Sequence, residues 1–407
     1  MKAIGSIMIG LILFLSACSK DNNNELKEPA IIKLPAKSGE VIQGGNDFGV
    51  DLFRLLAMEE DHNIMISPLS ASTALTMLLN GTNGPTHNQI AEMLGYQNMT
   101  TDEINLVYQS LLQQLLAADP NVDLMLSNAV WYRNDFQVKP PFLASMQSNF
   151  KSHIEALDFN NPSSLTKINA WASDNTKGKI DKVLDEISPD AVMFIMNALY
   201  FKGAWTYIFD KSQTKPALFF PEEASPFNVQ MMNQSCPFKV FYGDSCQVIE
   251  LTYGRKNFVM DIILPHGKLS NYLKSFDGTE WQSLCNALDA LSVPEAALIS
   301  MPKFSFSYEK YLNDQLKVLG MTDAFDAINA DLSGISDADI FVSFVKQNTF
   351  VDVNEEGTEA AAVTTVGVYV TSLPTTTEIN KPFIFAIREQ TTNTLMFIGK
   401  VLFPPSS

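Results

Sequence analysis

The sequence predicts an α+β fold in which helices pack on mostly antiparallel sheets. Helical periodicity is concentrated in the first half of the chain, whereas apolar, strand-like runs follow one another in the second half. The regular alternation of strand and helix that builds a parallel sheet is not visible in the pattern. With 46% hydrophobic and 18% charged residues among 407, the composition is that of a folded globular protein. We therefore expect one large domain preceded by a targeting segment.

The N-terminus has the pattern of an export signal. Lys2 precedes an apolar run over residues 7–15, which is too short to span a bilayer. The tetrad Leu15-Ser16-Ala17-Cys18 resembles the bacterial lipobox, whose cysteine becomes the lipid-modified first residue of the mature protein. This resemblance implies a signal peptide over residues 1–17 and an acylated Cys18, and Ser19 implies anchoring in the outer membrane, facing the periplasm or the cell surface. A plain secretory cleavage beside an accidental cysteine is the alternative.

A polar segment and the first folded elements follow Cys18. We expect residues 18–45 to form a flexible tether because prolines and glycines interrupt any periodicity there. The apolar spacing from Phe48 to Leu56 predicts an amphipathic helix. A short strand ending at Ser67 comes next, and Pro68 then starts a helix, since proline is favoured in the first helical turn.

Later segments predict the strands of the sheets. Residues 123–131 and 191–205 are long apolar runs typical of core strands, and a surface helix over residues 168–179 separates them. Asn197 in the second run needs a hydrogen-bond partner, because an unpaired buried amide costs about 1–3 kcal/mol. Shorter strands are predicted at residues 238–242, 247–251, 257–264, 297–306, 383–387 and 395–403, with a helix over residues 311–319.

One uncharged stretch is too long for an ordinary strand. Residues 360–373 are small, β-branched or aromatic, which favours a pleated strand, but strands usually have about 5–6 residues. An acidic turn at residues 354–357 precedes the stretch and Pro374 follows it, and such flanking residues are typical of an exposed loop. Alternate residues from Thr358 to Val370 carry no charge, so this face of the loop is suited to burial in a sheet. An ordinary buried strand is the alternative.

The motifs around this stretch resemble those of the serpin family. The hinge of the serpin reactive-centre loop is matched by Glu355, Glu356, Gly357, Thr358, Glu359, Ala360, Ala361 and Ala362. The strand start that follows this loop in the family is matched by Asn380-Lys381-Pro382-Phe383. The region where the serpin main sheet opens is matched by Ser67, Ser70, Asn197 and Trp205. The resemblance implies a serpin domain over residues 46–407, with helices on a large sheet and an exposed reactive-centre loop at about residues 355–379.

The resemblance implies protease inhibition rather than catalysis. A serpin is attacked by its target protease as a substrate, and the cleaved loop then inserts as a new strand into the main sheet. Counted as in the family, the reactive bond is Thr371–Ser372, with Val370 and Val368 as alternates. A non-inhibitory serpin that acts as a binding or chaperone protein is the main alternative, ahead of a solute-binding lipoprotein or an unrecognised hydrolase.

The residues before the reactive bond indicate the class of target. Small and aliphatic side chains there suit elastase-like and subtilisin-like serine proteases, and Tyr369-Val370 suits papain-like cysteine proteases. No Arg or Lys lies between Glu359 and Lys381, which argues against trypsin-like targets.

One position departs from the family pattern. Many serpins carry a histidine, bonded to the asparagine that Asn197 matches, where this chain has Gln347. A glutamine side chain both donates and accepts hydrogen bonds, so we expect the polar cluster beneath the sheet to survive.

Several function classes are excluded by what the sequence lacks. There is no nucleophile elbow, no zinc-binding histidine pair and no phosphate-binding glycine loop, so we expect no catalytic site, metal or cofactor. The net charge of −17 argues against nucleic acid and heparin-type polyanions as partners. We expect a monomer. Cys236 and Cys246 lie near one hairpin, and whether they form a disulfide stays open.

Overall fold

The computed structural model describes residues 29–292, 297–358 and 376–405. The helices are α1 Ser38–Glu59, α2 Pro68–Leu79, α3 Gly84–Met93, α4 Thr101–Ala117, α5 Pro140–Phe150, α6 Pro162–Asp174, α7 Leu269–Tyr272, α8 Gly278–Ala290 and α9 Asn313–Val318. The strands are β1 Ile64–Ile66, β2 Val122–Arg133, β3 His153–Leu157, β4 Met193–Ala204, β5 Lys215–Phe219, β6 Phe227–Cys236, β7 Lys239–Tyr242, β8 Cys246–Tyr253, β9 Phe258–Pro265, β10 Ala297–Pro302, β11 Phe304–Tyr311, β12 Lys346–Asn354, β13 Gly357–Thr358, β14 Thr376–Glu378, β15 Phe383–Glu389 and β16 Thr394–Val401. Within these ranges no helix has both the length and the apolar character needed to cross a membrane.

Three sheets organise this part of the chain. The main sheet has the strand order β11-β12-β13-β4-β2-β3, the central sheet has the order β1-β16-β15-β9-β8-β7, and the small sheet has the order β14-β10-β6-β5. Neighbouring strands are antiparallel except for β2 with β3 and β10 with β14, which are parallel. This arrangement confirms the predicted α+β fold with mostly antiparallel sheets.

The main sheet is interrupted between β12 and β4. In the described residues these two strands do not pair with each other, and each pairs with the two-residue strand β13. Because neighbouring strands lie about 4.8 Å apart, a strand between them spaces β12 and β4 by roughly twice that distance at this end. The sheet therefore has room for a strand where Gly357 and Thr358 lie.

Helix α2 lies between the main and central sheets, where it packs against β4 and β16. Pro68 is its first residue, as predicted, and nearly all of its side chains are buried. Ser67 caps the helix: its hydroxyl accepts the Ser70 backbone N–H at 3.1 Å and donates to the Met396 carbonyl at 2.7 Å. The short strand β1 before it pairs with β16, so this segment fixes α2 behind the main sheet.

The first helix begins earlier than the sequence indicates. A flexible tether was predicted through Gly45, but α1 starts at Ser38 and contains both Gly44 and Gly45. A Cβ at Gly44 would lie 2.3 Å from the Leu94 carbonyl oxygen, so this glycine permits close packing and does not break the helix. The predicted boundary between tether and domain is therefore wrong by several residues.

One connection departs from the predicted absence of strand–helix–strand units. Strands β2 and β3 are parallel neighbours at the edge of the main sheet, and α5 connects them. Strand β3 is five residues long and its first residue, His153, is exposed. So short and partly polar a strand has no clear alternation, which is why the sequence pattern does not reveal it.

The cysteines are all free in the described residues. Cys236 ends β6 of the small sheet, whereas Cys246 begins β8 of the central sheet, and both are buried, as is Cys285. Cys236 and Cys246 therefore belong to different sheets and form no disulfide with each other; both are buried free thiols. Burial also raises the pKa of Cys236, to about 12, so this thiol stays protonated at neutral pH.

Candidate functional site

The candidate site is the turn that joins β12 to β13. The backbone N–H of Glu356 donates to the side-chain oxygen of Asn354 at 3.0 Å, which fixes the turn. Gly357 has φ +151°, and a Cβ there would lie 2.1 Å from the Gly203 carbonyl oxygen. Only glycine fits this close approach of β13 to β4. The turn at Glu355 and Glu356 therefore directs the chain back between β12 and β4.

The segment that follows β4 holds this turn through three hydrogen bonds. The Trp205 backbone N–H donates to the Glu356 carbonyl at 3.0 Å, and its indole N–H donates to the Asn354 carbonyl at 2.9 Å. The Phe209 N–H donates to the Glu355 carbonyl at 2.9 Å. Trp205, which the family resemblance implies lies where the main sheet opens, lies directly against the hinge turn.

The two glutamates of the turn occupy different environments. Glu355 is 4% exposed. Its carboxylate accepts a hydrogen bond from the Thr214 hydroxyl at 2.7 Å and forms an ion pair with Lys303 at 3.0 Å. Burial by itself raises the pKa of Glu355, but Thr214 and Lys303 outweigh it and hold that pKa below its usual value of 4.5. Glu356 is partly exposed and pairs with Lys211 at 2.5 Å. The turn is therefore anchored by one buried carboxylate.

Replacing Lys303 by methionine should destabilise the protein by about 1–3 kcal/mol at pH 7, because the Glu355 carboxylate stays buried with Thr214 alone. A lowered folded-state pKa contributes stability that is present above about pH 4.5 and is lost as the pH falls through that lowered pKa. The thermal midpoints of the wild type and of Lys303→Met, measured at one scan rate, should therefore differ by a constant amount above pH 5. This difference should shrink towards pH 3.5. Lys268→Met removes an exposed pair with Glu223 and should leave the midpoint unchanged. A pH-independent difference would contradict the assigned role of Glu355.

Thr358 lies inside the main sheet. It pairs with Val353 of β12 on one side and with Gly203 of β4 on the other. It is 4% exposed, and its hydroxyl lies 2.6 Å from the hydroxyl of Tyr253. The expectation of an exposed loop from Glu355 onward is therefore wrong for the first four residues, which the contacts described above bury or hold in the turn.

Beneath the sheet the predicted polar residues form two separate groups. The Gln347 side chain accepts the Ser67 backbone N–H at 3.0 Å and donates to the Ser67 carbonyl at 2.9 Å. Asn197 instead donates to the Asn128 side-chain oxygen at 2.7 Å, and Asn128 donates to the Phe150 carbonyl at 2.8 Å. In the described residues no hydrogen bond joins Gln347 to Asn197, and the Asn197 oxygen is buried without a partner. Gln347 thus ties β12 to the start of α2 rather than to β4.

The remaining predicted site residues lie outside the described ranges. They are Cys18, Glu359, Ala360, Ala361, Ala362, Val368, Val370, Thr371 and Ser372.

Sequence reasoning missed the side chains that hold the hinge from outside the loop. Thr214 and Tyr253 contact it across more than a hundred residues of chain and carry no local signal. Lys303 contacts it from about fifty residues away. Lys303 does have a local signal, because it is the one basic residue in the predicted apolar strand 297–306. A single charge in such a strand indicates a specific partner.

Comparison with known proteins agrees with this geometry. A family model described as serpin (serine protease inhibitor) matches residues 43–404. The leukocyte elastase inhibitor of Sus scrofa is 34% identical over 378 residues, which cover 88% of this chain and 97% of that protein. The crystal structure of the thermophilic serpin tengpin in its native state matches with a TM-score of 0.80 and 29% identity, over 93% of this chain and 100% of that chain. Human thyroxine-binding globulin complexed with thyroxine matches with a TM-score of 0.80 and 27% identity, over 91% of this chain and 100% of that chain. Because the family model matches residues 43–404, this chain belongs to the serpin family of serine protease inhibitors.

Proposed function

We propose that this protein is a suicide-substrate inhibitor of serine endopeptidases. The observation that carries the proposal is the position of Gly357 and Thr358, which pair with both β12 and β4 where the main sheet has room for a strand. A hinge that already lies between these strands is ready to lead the rest of the loop into the sheet. The uncharged residues from Ala360 onward suit burial there.

The proposed reaction starts as ordinary proteolysis. The serine hydroxyl of the protease attacks the carbonyl carbon of Thr371, the peptide bond to Ser372 breaks, and the new amino terminus takes up the proton. The loop remains esterified to the protease. Insertion of about 14 residues at roughly 3.3 Å each then carries the protease some 45 Å, before water hydrolyses the ester. Cleavage at Val370 or Val368 follows the same scheme.

The proposed targets have shallow apolar primary pockets. The side chains at Val368, Val370 and Thr371 fit elastase-like and subtilisin-like enzymes, and we extend the proposal to papain-like cysteine proteases. The relative named as a leukocyte elastase inhibitor supports the first of these classes. We expect the inhibitor to act as a monomer.

Incubation with elastase or subtilisin should give a covalent complex that survives SDS and is heavier than either partner, because the acyl bond is trapped by insertion. Trypsin should give none, because no Arg or Lys lies between Glu359 and Lys381. The measurement is a denaturing gel over a range of molar ratios. Mass spectrometry of the small released C-terminal peptide should identify the cleaved bond.

The same gel distinguishes the alternatives. Complete cleavage with no heavy band from any of the three protease classes would contradict inhibition and leave a serpin that is only a substrate. An intact loop after prolonged incubation would favour a binding or chaperone role, for which thyroxine-binding globulin shows that a protein of this fold can hold a small molecule.

We also propose that Cys18 anchors the protein to the outer membrane through its lipid. The lipobox-like tetrad Leu15-Ser16-Ala17-Cys18 supports this. Cys18→Ser should move the protein from the membrane fraction to the soluble fraction and abolish labelling by radioactive palmitate, whereas Ser19→Ala should keep both. Membrane retention of the Cys18→Ser variant would contradict the anchor and leave the inhibitory proposal intact.

A further inference from the structure

Tyr253 connects the central sheet to the hinge. It is the last residue of β8, its side chain is fully buried, and it forms an isolated backbone bridge with Trp205. Its ring stacks on the Trp205 indole with centroids 4.4 Å apart and planes 12° apart, and it meets Phe201 edge to face at 5.1 Å. A Cβ at Gly203 would lie 2.9 Å from the tyrosine ring, so the glycine makes room for that ring under the main sheet. The phenol is therefore held rigidly, with its hydroxyl pointing at the place where β13 lies.

The buried hydroxyl of Tyr253 is satisfied by the hinge. It lies 2.6 Å from the Thr358 hydroxyl, and the part of the chain that the structure describes offers it no other hydrogen-bonding partner. Burial raises the pKa of Tyr253 well above its ordinary range, so the phenol is protonated and has a hydrogen to donate. A buried phenol without a partner is unfavourable, so the arrival of Thr358 stabilises a group that the fold has already placed.

The same contact selects one register. Gly357, the residue before Thr358, has no side chain, and Glu359 after it would bring a carboxylate to a buried site. A one-residue slip would therefore leave the phenol unpaired or bury a charge, besides turning every later side chain to the opposite face. Among these three residues only Thr358 completes the hydroxyl pair.

We propose that Tyr253 is the positioning residue that seats Thr358 between β12 and β4, so that strand insertion starts early and in the correct register. This inference rests on the proposed inhibitory function, which it deepens by naming the group that receives the first inserted side chain. Tyr253 acts through Thr358 and touches neither the protease nor the reactive bond.

The test removes single hydroxyls. Tyr253→Phe keeps the ring stacked on Trp205, Thr358→Val keeps the shape of the threonine, and Thr358→Ser keeps its hydroxyl. Tyr308→Phe is the matched control, since Tyr308 is a buried tyrosine of β11 in the main sheet whose hydroxyl has no partner in the described residues. Two quantities are measured: amide hydrogen exchange at Gly357 and Thr358 in the intact protein, and the number of inhibitor molecules consumed per subtilisin inhibited.

Tyr253→Phe and Thr358→Val should each speed exchange at these amides by about 3- to 10-fold, because each leaves the same hydrogen bond unmade. The double variant should be no faster than either single variant, since the two changes remove one shared interaction. Inhibitor consumption should rise by about 3-fold or more in all three variants while the rate of loop cleavage stays unchanged. Thr358→Ser and Tyr308→Phe should match the wild type in every measurement.

Two results overturn the inference: exchange in Tyr253→Phe that equals the wild type, or effects of the two single variants that add in the double variant. Either would show that the hydroxyl pair does not hold the hinge. The exchange measurement needs no protease, so it decides the role of Tyr253 even if the wild type traps none. A wild-type protein that forms no complex, yet shows the predicted exchange pattern, refutes the inhibitory function alone.

Discussion

Cleavage of the loop by elastase or subtilisin should raise the unfolding temperature of the protein by about 10 °C or more. Inserting a new strand between β12 and β4 would add about a dozen backbone hydrogen bonds worth roughly 0.5–1.5 kcal/mol each, of order 10 kcal/mol together. A domain of roughly 360 residues has an unfolding entropy of about 0.75 kcal/mol per kelvin at about 2.1 cal/mol/K per residue, so this gain corresponds to about 13 °C. The intact protein is then held kinetically, short of its most stable state.

Thermal midpoints of intact and nicked protein, taken at one scan rate by circular dichroism, provide the measurement. The scan rate must be fixed because the intact protein is expected to unfold irreversibly. Limited cleavage in the segment before α1, followed by the same scan, is the control for the effect of nicking itself. If the loop-cleaved protein melts no higher than the intact one, the loop does not insert and the proposed mechanism fails.

The elements that the sequence predicts well are those whose signals are local. The start of α2 at Pro68 is such a case, because the capping Ser67 and the proline are adjacent in the chain. The long strand β4, predicted over residues 191–205 and found at Met193–Ala204, is another, since only Asn197 and Lys202 interrupt its apolar run. Local chemistry decides both the place and the type of these elements.

The features that the sequence does not predict depend on partners far away in the chain. Gly44 is a helix breaker on local grounds, yet it lies within α1 because Leu94 packs against it. Arg388 lies fully buried near the end of β15, where its guanidinium donates to Asp261 at 2.6 Å and to Glu250 at 2.7 Å. The residues next to Arg388 in the sequence do not indicate that Asp261 and Glu250 will lie beside its guanidinium.

The candidate site divides in the same way. The motif from Glu355 to Ala362 identifies the hinge and its family from the sequence. Its burial does not follow from the motif, because an acidic turn is read locally as a solvated loop. Burial of Glu355 is made possible by Thr214 and Lys303. These residues directly precede β5 and β11, and only the fold brings them to this turn. Family resemblance thus supplies the role of the segment, and packing supplies its environment.

Replacing Thr358 by arginine should convert the protein from an inhibitor into a substrate. The threonine lies between β12 and β4 with 4% exposure and its hydroxyl against that of Tyr253, so a longer, charged side chain would displace this contact and bring a charge into a buried place. Burying an unpaired charge costs several kcal/mol, which would prevent the hinge from leading the loop into the sheet. With insertion slowed, water hydrolyses the acyl bond first. We expect the SDS-stable band to disappear and the amount of inhibitor consumed per protease inhibited to rise by about 100-fold or more, since 1.4 kcal/mol corresponds to a factor of ten.

Glu356→Arg is the matched control, because it introduces the same side chain two residues earlier, where the glutamate is 30% exposed and pairs with Lys211 at the surface. This variant should still trap the protease, which separates the effect of a buried arginine from that of an arginine in the hinge. Both variants should be cleaved at the wild-type rate, since neither change touches the reactive bond. The cleaved Thr358→Arg protein should also lack the rise in unfolding temperature expected for the wild type. Retention of both the covalent band and that rise would mean that a buried Thr358 is not needed for loop insertion, and that the new strand forms by another route.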